Sequence, residues 1–505
     1  MDQKSQTVKN AIFSIIQVLV MGICLFFLYR FILDTIGVEK LGVWSLLIAT
    51  TSVSKVANVG LSGGVVKFVA KYLALKDEYK VSKLIQTALI TVGSLVAIFM
   101  IIFYFLAETI LALFIDISML GEALAIVPIV ICTVWLMSVS MIVLGSLDGN
   151  QRVDLRNIIL IAGIIFYVVL SVVLIGKYGL LGLALAHLFQ YLGILVSGII
   201  ILRRLIWIPF IPRTWDKELF IEMIGYGISF QAMSVVQLIY DPLTKALISY
   251  FGGLVMVGYY EMANKMVQQV RALIVTANRV LVPTIANFNE TASNRIERVY
   301  LQSLKLCFYV SVPAYCFLAL FTPIISNYWI GHLEPLFVIM SFILIPGWAF
   351  NTIAAPSYFV YLGIGRLKWN LISHIIIAVL NASLAYMMGL IYGGLGVVYG
   401  WVIGLIIGSS VTLIAYHIEL KCNWKIIFTS SDIYLLISNL SAVFIGLKLL
   451  YSVYLFYAPL SAQLLTLIFL YACIVVLPML KHPIRYVLQE LIFHTVLRKE
   501  TSEAK

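Results

Sequence analysis

Within an otherwise apolar stretch, Glu261, Asn264, Lys265, Gln268, Arg271, Asn278 and Arg279 recur at steps of three or four residues. That spacing places them on one stripe of a helix. An ionisable side chain in hydrocarbon costs at least ~2.5–3.5 kcal/mol on insertion scales, so such residues usually face a cavity and act there. Glu261 and Lys265 can neutralise each other at i,i+4, whereas Arg271 and Arg279 have no acidic partner on that helix. The chemistry on offer is the holding of an anion, with Glu261, Asn264 and Gln268 as polar lining. An earlier stretch offers a matching wall: Ser45, Ser52, Lys55 and Ser62 follow the same spacing, and Lys55 corresponds to Arg271. Both cations lie about 20 Å along their helices from a shared glycine, at 1.5 Å per residue, and are expected to face one cavity. The alternative for Lys55 is a side chain snorkelling to the interface.

Two further pairs, Arg30–Asp34 and Asp241–Lys245, have i,i+4 spacing near helix ends. Facing inward, Arg30 and Lys245 would add a second cationic station. Facing outward, Arg30 would snorkel, and Asp241 would cap a short helix begun by Pro242. Asp241 and Glu261 are the carboxylates placed to couple transport to an ion. His187 and His374 lie inside apolar spans, where packed and hydrogen-bonded histidines outnumber proton carriers, although imidazole titrates near neutral pH.

The elements that position these residues are membrane helices. The chain is 62% hydrophobic and 11% charged over 505 residues, against about a quarter charged in a soluble domain. Apolar runs of about 20 residues, the length that crosses a bilayer core, recur from residue 11 to 480 and read as about fourteen spans. Of the 34 Lys and Arg, 25 fall in alternate segments that would be cytoplasmic if the N-terminus is, two (Lys40 and Lys177) fall in the opposite loops, and seven lie within spans. By the positive-inside rule this asymmetry sets an inner-membrane topology with both termini cytoplasmic. The charge of +11 is then topogenic, and a nucleic-acid partner is excluded.

The sequence also repeats. Gly37-x4-Gly42-x-Trp44 recurs 216 residues later as Gly253-x4-Gly258-x-Tyr260, and Gly149, Arg152, Tyr178, Gly179 and Gly182 recur 214 residues later as Gly363, Arg366, Tyr392, Gly393 and Gly396. The expected architecture is all-α and polytopic: a six-helix bundle over 1–203, a linker over 204–220, a second six-helix bundle over 221–420, an extra helix pair over 421–480, and a basic tail over 481–505 lying on the inner membrane surface. Parallel repeats of this kind place a substrate site between halves and permit alternating access by rocking.

Absences narrow the function. There is no Gly-rich phosphate loop with Lys-Ser/Thr, no His-Glu-x-x-His and no nucleophile elbow, so no motif for ATP hydrolysis or for an enzyme is present. The six cysteines show no C-x-x-C spacing and read as buried hydrophobes. No cofactor is expected.

The segment Gly60-Leu61-Ser62-Gly63-Gly64-Val65-Val66-Lys67-Phe68-Val69-Ala70-Lys71-Tyr72, with Gly42-Val43-Trp44 before it, resembles the corresponding region of Wzx-type polysaccharide flippases. These belong to the superfamily of multidrug, oligosaccharidyl-lipid and polysaccharide exporters. The resemblance implies a flippase that moves an undecaprenyl-pyrophosphate-linked oligosaccharide, such as an O-antigen unit, from the cytoplasmic to the periplasmic leaflet. It implies membrane lipids as surroundings, and a polysaccharide polymerase and chain-length regulator as partners. Lys55, Lys265, Arg271, Arg279, Arg30 and Lys245 would then hold the pyrophosphate. Many such flippases have twelve spans; the extra pair here is shared with lipid II flippases, the nearest alternative. A membrane polymerase or ligase is the alternative from the enzyme class, and its usual large outer loop is missing from this sequence.

Overall fold

The computed structural model describes residues 3–51, 61–209, 211–278, 294–419, 429–452 and 458–485, with single positions between 279 and 293. Among the described residues the regular structure is helical throughout, as it must be where no water is present to satisfy a backbone N–H or C=O. In order, the helices are α1 (Gln3–Thr51), α2 (Leu61–Ala74), α3 (Glu78–Leu111), α4 (Ile117–Gly149), α5 (Val153–Leu205), α6 (Lys217–Asn278), α7 (Asn294–Trp329), α8 (Pro335–Gly363), α9 (Lys368–Glu419), α10 (Ser430–Leu450) and α11 (Leu460–Lys481). Nine helices among the described residues are long and apolar enough to cross a membrane. Large apolar side chains such as Phe105, Phe444 and Phe469 are more than 70% exposed, which suits a surface whose solvent is lipid. The protein is a multi-pass membrane protein.

Four helices are far longer than one crossing of about 20 residues: α1 has 49 residues, α5 has 53, α6 has 62 and α9 has 52. Each is broken once, at a glycine with left-handed φ. Gly37 (φ 84°, ψ 166°) and Gly253 (φ 78°, ψ 173°) break α1 and α6, while Gly179 (φ 54°, ψ −129°) and Gly393 (φ 64°, ψ −150°) break α5 and α9. Only glycine adopts these angles at no steric cost. The four breaks are two pairs at the repeat offsets, with matching dihedral angles, so the repeat read in the sequence is present in the backbone. α6 continues through Pro242 and breaks at Gly253 instead, so Asp241 lies within a continuous helix and caps nothing.

After each of the later breaks the chain folds back on itself. A Cβ on Gly182 would collide with the Leu174 carbonyl, and one on Gly396 would collide with that of Met388, again equivalent positions. A second set of contacts is reciprocal. A Cβ on Gly42 would collide with the Leu254 carbonyl, and a Cβ on Gly258 with that of Val38. Val38 and Leu254 are repeat equivalents, as are Gly42 and Gly258, so each copy offers a glycine to the backbone of the other.

Two compact units emerge. The first comprises residues 1–266 and 374–404, and the second 267–373 and 405–505. Two helices, α6 and α9, therefore contribute to both. In the second unit, Leu320, Phe321 and Ile324 of α7 pack with Ala442 and Leu450 of α10 and with Leu467, Tyr471 and Val475 of α11.

In the first unit the polar segment ahead of α6 is strapped to α3. Gln86 Oε1 accepts from the backbone N–H of Arg213 (3.0 Å) and Thr214 (3.3 Å), and Thr87 Oγ1 accepts from that of Asp216 (3.1 Å). Trp215 Nε1 donates to Thr91 Oγ1 at 3.0 Å. Asp216 then caps α6, accepting from Glu218 N at 2.8 Å and Leu219 N at 3.0 Å, and pairs with Lys83 at 2.7 Å.

Two outcomes follow from this packing. Gly396→Ala lowers the melting temperature of purified protein, as overpacking of about 1–3 kcal/mol does; Gly176→Ala, with open space around it, leaves it unchanged. The Lys83 hydrogen bond, aided by the Leu219 N–H, holds Asp216 below the usual carboxylate range. A depressed native pKa contributes stability above the unfolded value of about 3.9 and loses it as pH falls through the native value. The melting-temperature difference between the protein and its Asp216→Asn variant is therefore flat from neutral pH down to about 4 and closes below it.

Candidate functional site

Each unit carries its own polar cluster, and each cluster draws on the stripe of α6. In the first unit the cluster forms around Glu261. Lys245 and Glu261 lie eight residues before and after the break at Gly253, about 12 Å along each arm, so the fold-back brings them level. Lys245 Nζ pairs with Glu261 Oε2 at 2.8 Å and with Asp241 Oδ2 at 2.7 Å. Tyr29 of α1 donates its hydroxyl to Glu261 Oε1 at 3.0 Å, and Lys265 Nζ approaches the same oxygen at 3.6 Å. Lys245 is 3% exposed and Glu261 6%, whereas the Lys265 and Asp241 side chains are 43% and 48% exposed. Asn264 is buried beside them in sequence. The group is charge-neutral, with two ammonium groups against two carboxylates. This is the arrangement under which buried charges persist, since an ion removed from water needs a close partner and further hydrogen bonds.

Tyr29 is the repeat equivalent of Lys245 and Ser45 that of Glu261. Glu261 is thus met by Lys245 of its own copy and, from the other copy, by the residue at the equivalent position. Arg30 lies 3.7 Å from Asp34, with both side chains at least 40% exposed.

The second unit holds Arg271. Its Nε donates to Asn351 Oδ1 of α8 at 2.7 Å, and Asn351 Nδ2 donates to Ser409 Oγ of α9 at 2.8 Å. The guanidinium carbon lies 5.4 Å from the centre of the Trp348 ring, within the range of a cation–π contact. One turn further along α8, Thr352 donates to the Trp348 carbonyl at 2.6 Å and shares a 2.9 Å hydrogen bond with the Tyr315 hydroxyl of α7. Tyr315 also lines a cavity of about 440 Å³, whose walls include Phe308, Cys316, Phe350, Ile353 and Leu440. α8 divides its faces between the two: Trp348 and Asn351 meet Arg271, while Phe350 and Ile353 face the apolar space.

The sequence-derived candidates thus separate. Lys245, Lys265, Glu261 and Asp241 come together in the first unit. Arg271 belongs to the second, as does Gln268, which is partly buried. Lys55, Ser52 and Arg279 lie outside the described residues, as does the tail beyond residue 485. Sequence reasoning missed Tyr29, Trp348, Asn351 and Tyr315. Tyr29 had a signal, being equidistant with Ser45 from Gly37; the other three had only their polarity within apolar runs. The two histidines are packed: His374 lies between Gln237 Nε2 at 2.7 Å and the Tyr240 hydroxyl at 3.1 Å, and His187 is ringed by Trp44, Tyr167 and Tyr191 at 5.1–5.3 Å. Among the described residues no three His, Cys, Asp or Glu side chains gather as metal ligands.

Residues 36–332 match the family described as "Polysaccharide biosynthesis protein". The chain belongs to that family. No curated protein matches it. Among solved structures, it resembles an inward-facing multidrug resistance MATE transporter of the MOP superfamily, with TM-score 0.70 and 16% identity, covering 81% of this chain and 98% of the other. It resembles the lipid II flippase MurJ in an inward closed conformation, with TM-score 0.67 and 16% identity over 93% of this chain and 97% of MurJ. A MOP-superfamily transporter from Pyrococcus furiosus aligns with TM-score 0.61 and 16% identity, over 85% of this chain and 98% of its own. The fold of this polysaccharide biosynthesis protein is therefore that of the MOP-superfamily transporters.

In this family member, Asn351 is the hinge of the Arg271 cluster. Asn351→Leu, similar in size, removes the acceptor of Arg271 and the donor to Ser409, which costs about 1.5–3 kcal/mol for a hydrogen bond to a charged group. The expected result is a lowered melting temperature in detergent, with Asn351→Asp, which keeps the acceptor, milder.

Proposed function

We propose that the protein is a flippase for a lipid-linked oligosaccharide, moving an undecaprenyl-pyrophosphate-linked surface-polysaccharide unit across the bacterial inner membrane by alternating access. The observation that carries this reading is the adjacency, within one unit, of a guanidinium held by Asn351 over Trp348 and an apolar cavity of about 440 Å³, with Tyr315 belonging to both surroundings. An anionic head on a hydrocarbon chain needs both features together; an organic cation needs neither the guanidinium nor its orientation. Membership of a polysaccharide biosynthesis family supports the glycan.

The charge bias of the loops supports cytoplasmic termini, and hence outward transport. A diphosphate diester carries about two negative charges, and an interior-negative potential favours its outward movement by ~2.3 kcal/mol per charge per 100 mV. The potential alone favours that direction, and Asp241 and Glu261 are the candidates for coupling transport to an ion as well. A polymerase and a chain-length regulator would receive the product.

One observation favours a second reading. The likeness to MurJ spans 93% of this chain, against 81% for the MATE transporter. Lipid II is therefore the alternative cargo.

Deletion of the gene separates these readings. Completed single repeat units trapped in the inner leaflet, with surface glycan lost, are expected. Units already facing the periplasm would make the protein a polymerase or ligase, and intact surface glycan with a failing cell wall would make lipid II the cargo. Arg271→Ala, at equal membrane abundance, is expected to abolish export and Arg271→Lys to reduce it less; normal export by the alanine variant removes Arg271 from the mechanism.

A further inference from the structure

Three donors converge on the Glu261 carboxylate: the Tyr29 hydroxyl at 3.0 Å, Lys245 Nζ at 2.8 Å and Lys265 Nζ at 3.6 Å. They come from α1 and from both arms of α6. Two ammonium groups and a hydroxyl aimed at one pair of anionic oxygens form the donor set that a phosphate oxygen would take, since charge-assisted donors bind carboxylate and phosphate alike. The surroundings are graded. Lys245 is buried at 3% exposure, while the Lys265 side chain is 43% exposed, so an approaching anion meets Lys265 first and Lys245 last.

The repeat supplies a second argument. At the equivalent position of the first copy the carboxylate is replaced by Ser45 and the ammonium by Tyr29. The first copy thus breaks at Gly37 as the second breaks at Gly253, without a lysine–glutamate pair of its own. The break itself therefore does not require a lysine and a glutamate at these positions. Their presence needs another account.

We propose that the Glu261 carboxylate occupies, as an internal counter-ion, an anion site formed by Lys245, Lys265 and Tyr29, and that a phosphate or pyrophosphate group displaces it there. The site lies in the first unit and is distinct from the Arg271 cluster of the second. Displacement frees Glu261 from Tyr29 and so removes the hydrogen bond that ties α1 to α6 at this level. The identity of the anion as the cargo's head rests on the flippase reading; the site itself does not. The alternative source of the same chemistry is the headgroup of an anionic bulk lipid.

The test is binding of inorganic pyrophosphate to the purified full-length protein in zwitterionic nanodiscs, measured by calorimetry. An internal competitor has a distinctive signature: removing it strengthens binding. Glu261→Gln is expected to tighten pyrophosphate by about tenfold, the equivalent of ~1.4 kcal/mol, while Lys245→Met and Lys265→Met each weaken it several-fold. Glu261→Gln that leaves affinity unchanged or lowers it overturns the proposal. Lys265 is half-exposed, so its variant tests the site even if the buried variants do not fold; unaltered affinity in Lys265→Met also overturns it. Repeating the measurement in nanodiscs containing phosphatidylglycerol identifies the source. Retained pyrophosphate binding assigns the site to a pyrophosphate head, and lost binding, by competition, to a bulk lipid headgroup. These readouts need no export, so a failed deletion assay with tightened Glu261→Gln binding would refute the cargo and leave the site standing.

Discussion

An ammonium group carried into a bilayer-spanning bundle must find its counter-charge inside the protein, because neither water nor hydrocarbon supplies one at low cost. Lys245 meets that demand with Asp241 one turn away and Glu261 across the fold-back. The second partner is within reach only because α6 reverses at Gly253, and the reversal in turn needs a backbone conformation that a residue with a Cβ would resist. The Lys245–Glu261 contact therefore depends on the break in the helix and on the close approach of its two arms. Arg271 answers the same demand differently, by sharing its charge with the oxygen of Asn351 and the face of Trp348.

That contrast gives the two stations different characters. The Glu261 cluster is neutral as a whole and closed by its own carboxylate. The guanidinium of Arg271 is oriented by a neutral amide and an aromatic ring.

Much of the fold could be read from the sequence. Gly37, Gly179, Gly253 and Gly393 stand in the repeated motifs, and these are the four positions at which the long helices break. The apolar run lengths gave the helices, because a membrane leaves the backbone few alternatives. The candidate site was less legible, for a definite reason. Local spacing pairs Asp241 with Lys245 and Glu261 with Lys265, and both i,i+4 contacts exist, yet the Lys245–Glu261 pair joins residues on opposite sides of the reversal at Gly253, where i,i+3 and i,i+4 spacing says nothing. Asp241 before Pro242 resembled a helix start, but the helix runs on, as transmembrane helices tolerate proline where neighbouring groups re-satisfy the freed carbonyl. Trp348 and Asn351 carry no periodic signal within α8; what singles them out is the tertiary approach of Arg271.

The reciprocal collision geometry at Gly42 with Leu254 and at Gly258 with Val38 has a historical consequence. A contact that maps onto itself when the two copies are exchanged is isologous, the form of interface that joins identical subunits around a two-fold axis. The single chain therefore carries within it the seam of a homodimer, as expected if a six-helix ancestor paired with itself before its gene was duplicated and fused. In such a dimer every substitution appears twice. A lysine at one position and a glutamate at the other would have placed two of each around the axis, crowding like charges at the seam. In the single chain the equivalent positions differ, with Tyr29 and Ser45 in the first copy and Lys245 and Glu261 in the second. That asymmetry of charge is open to one chain carrying two copies and closed to a dimer of identical subunits.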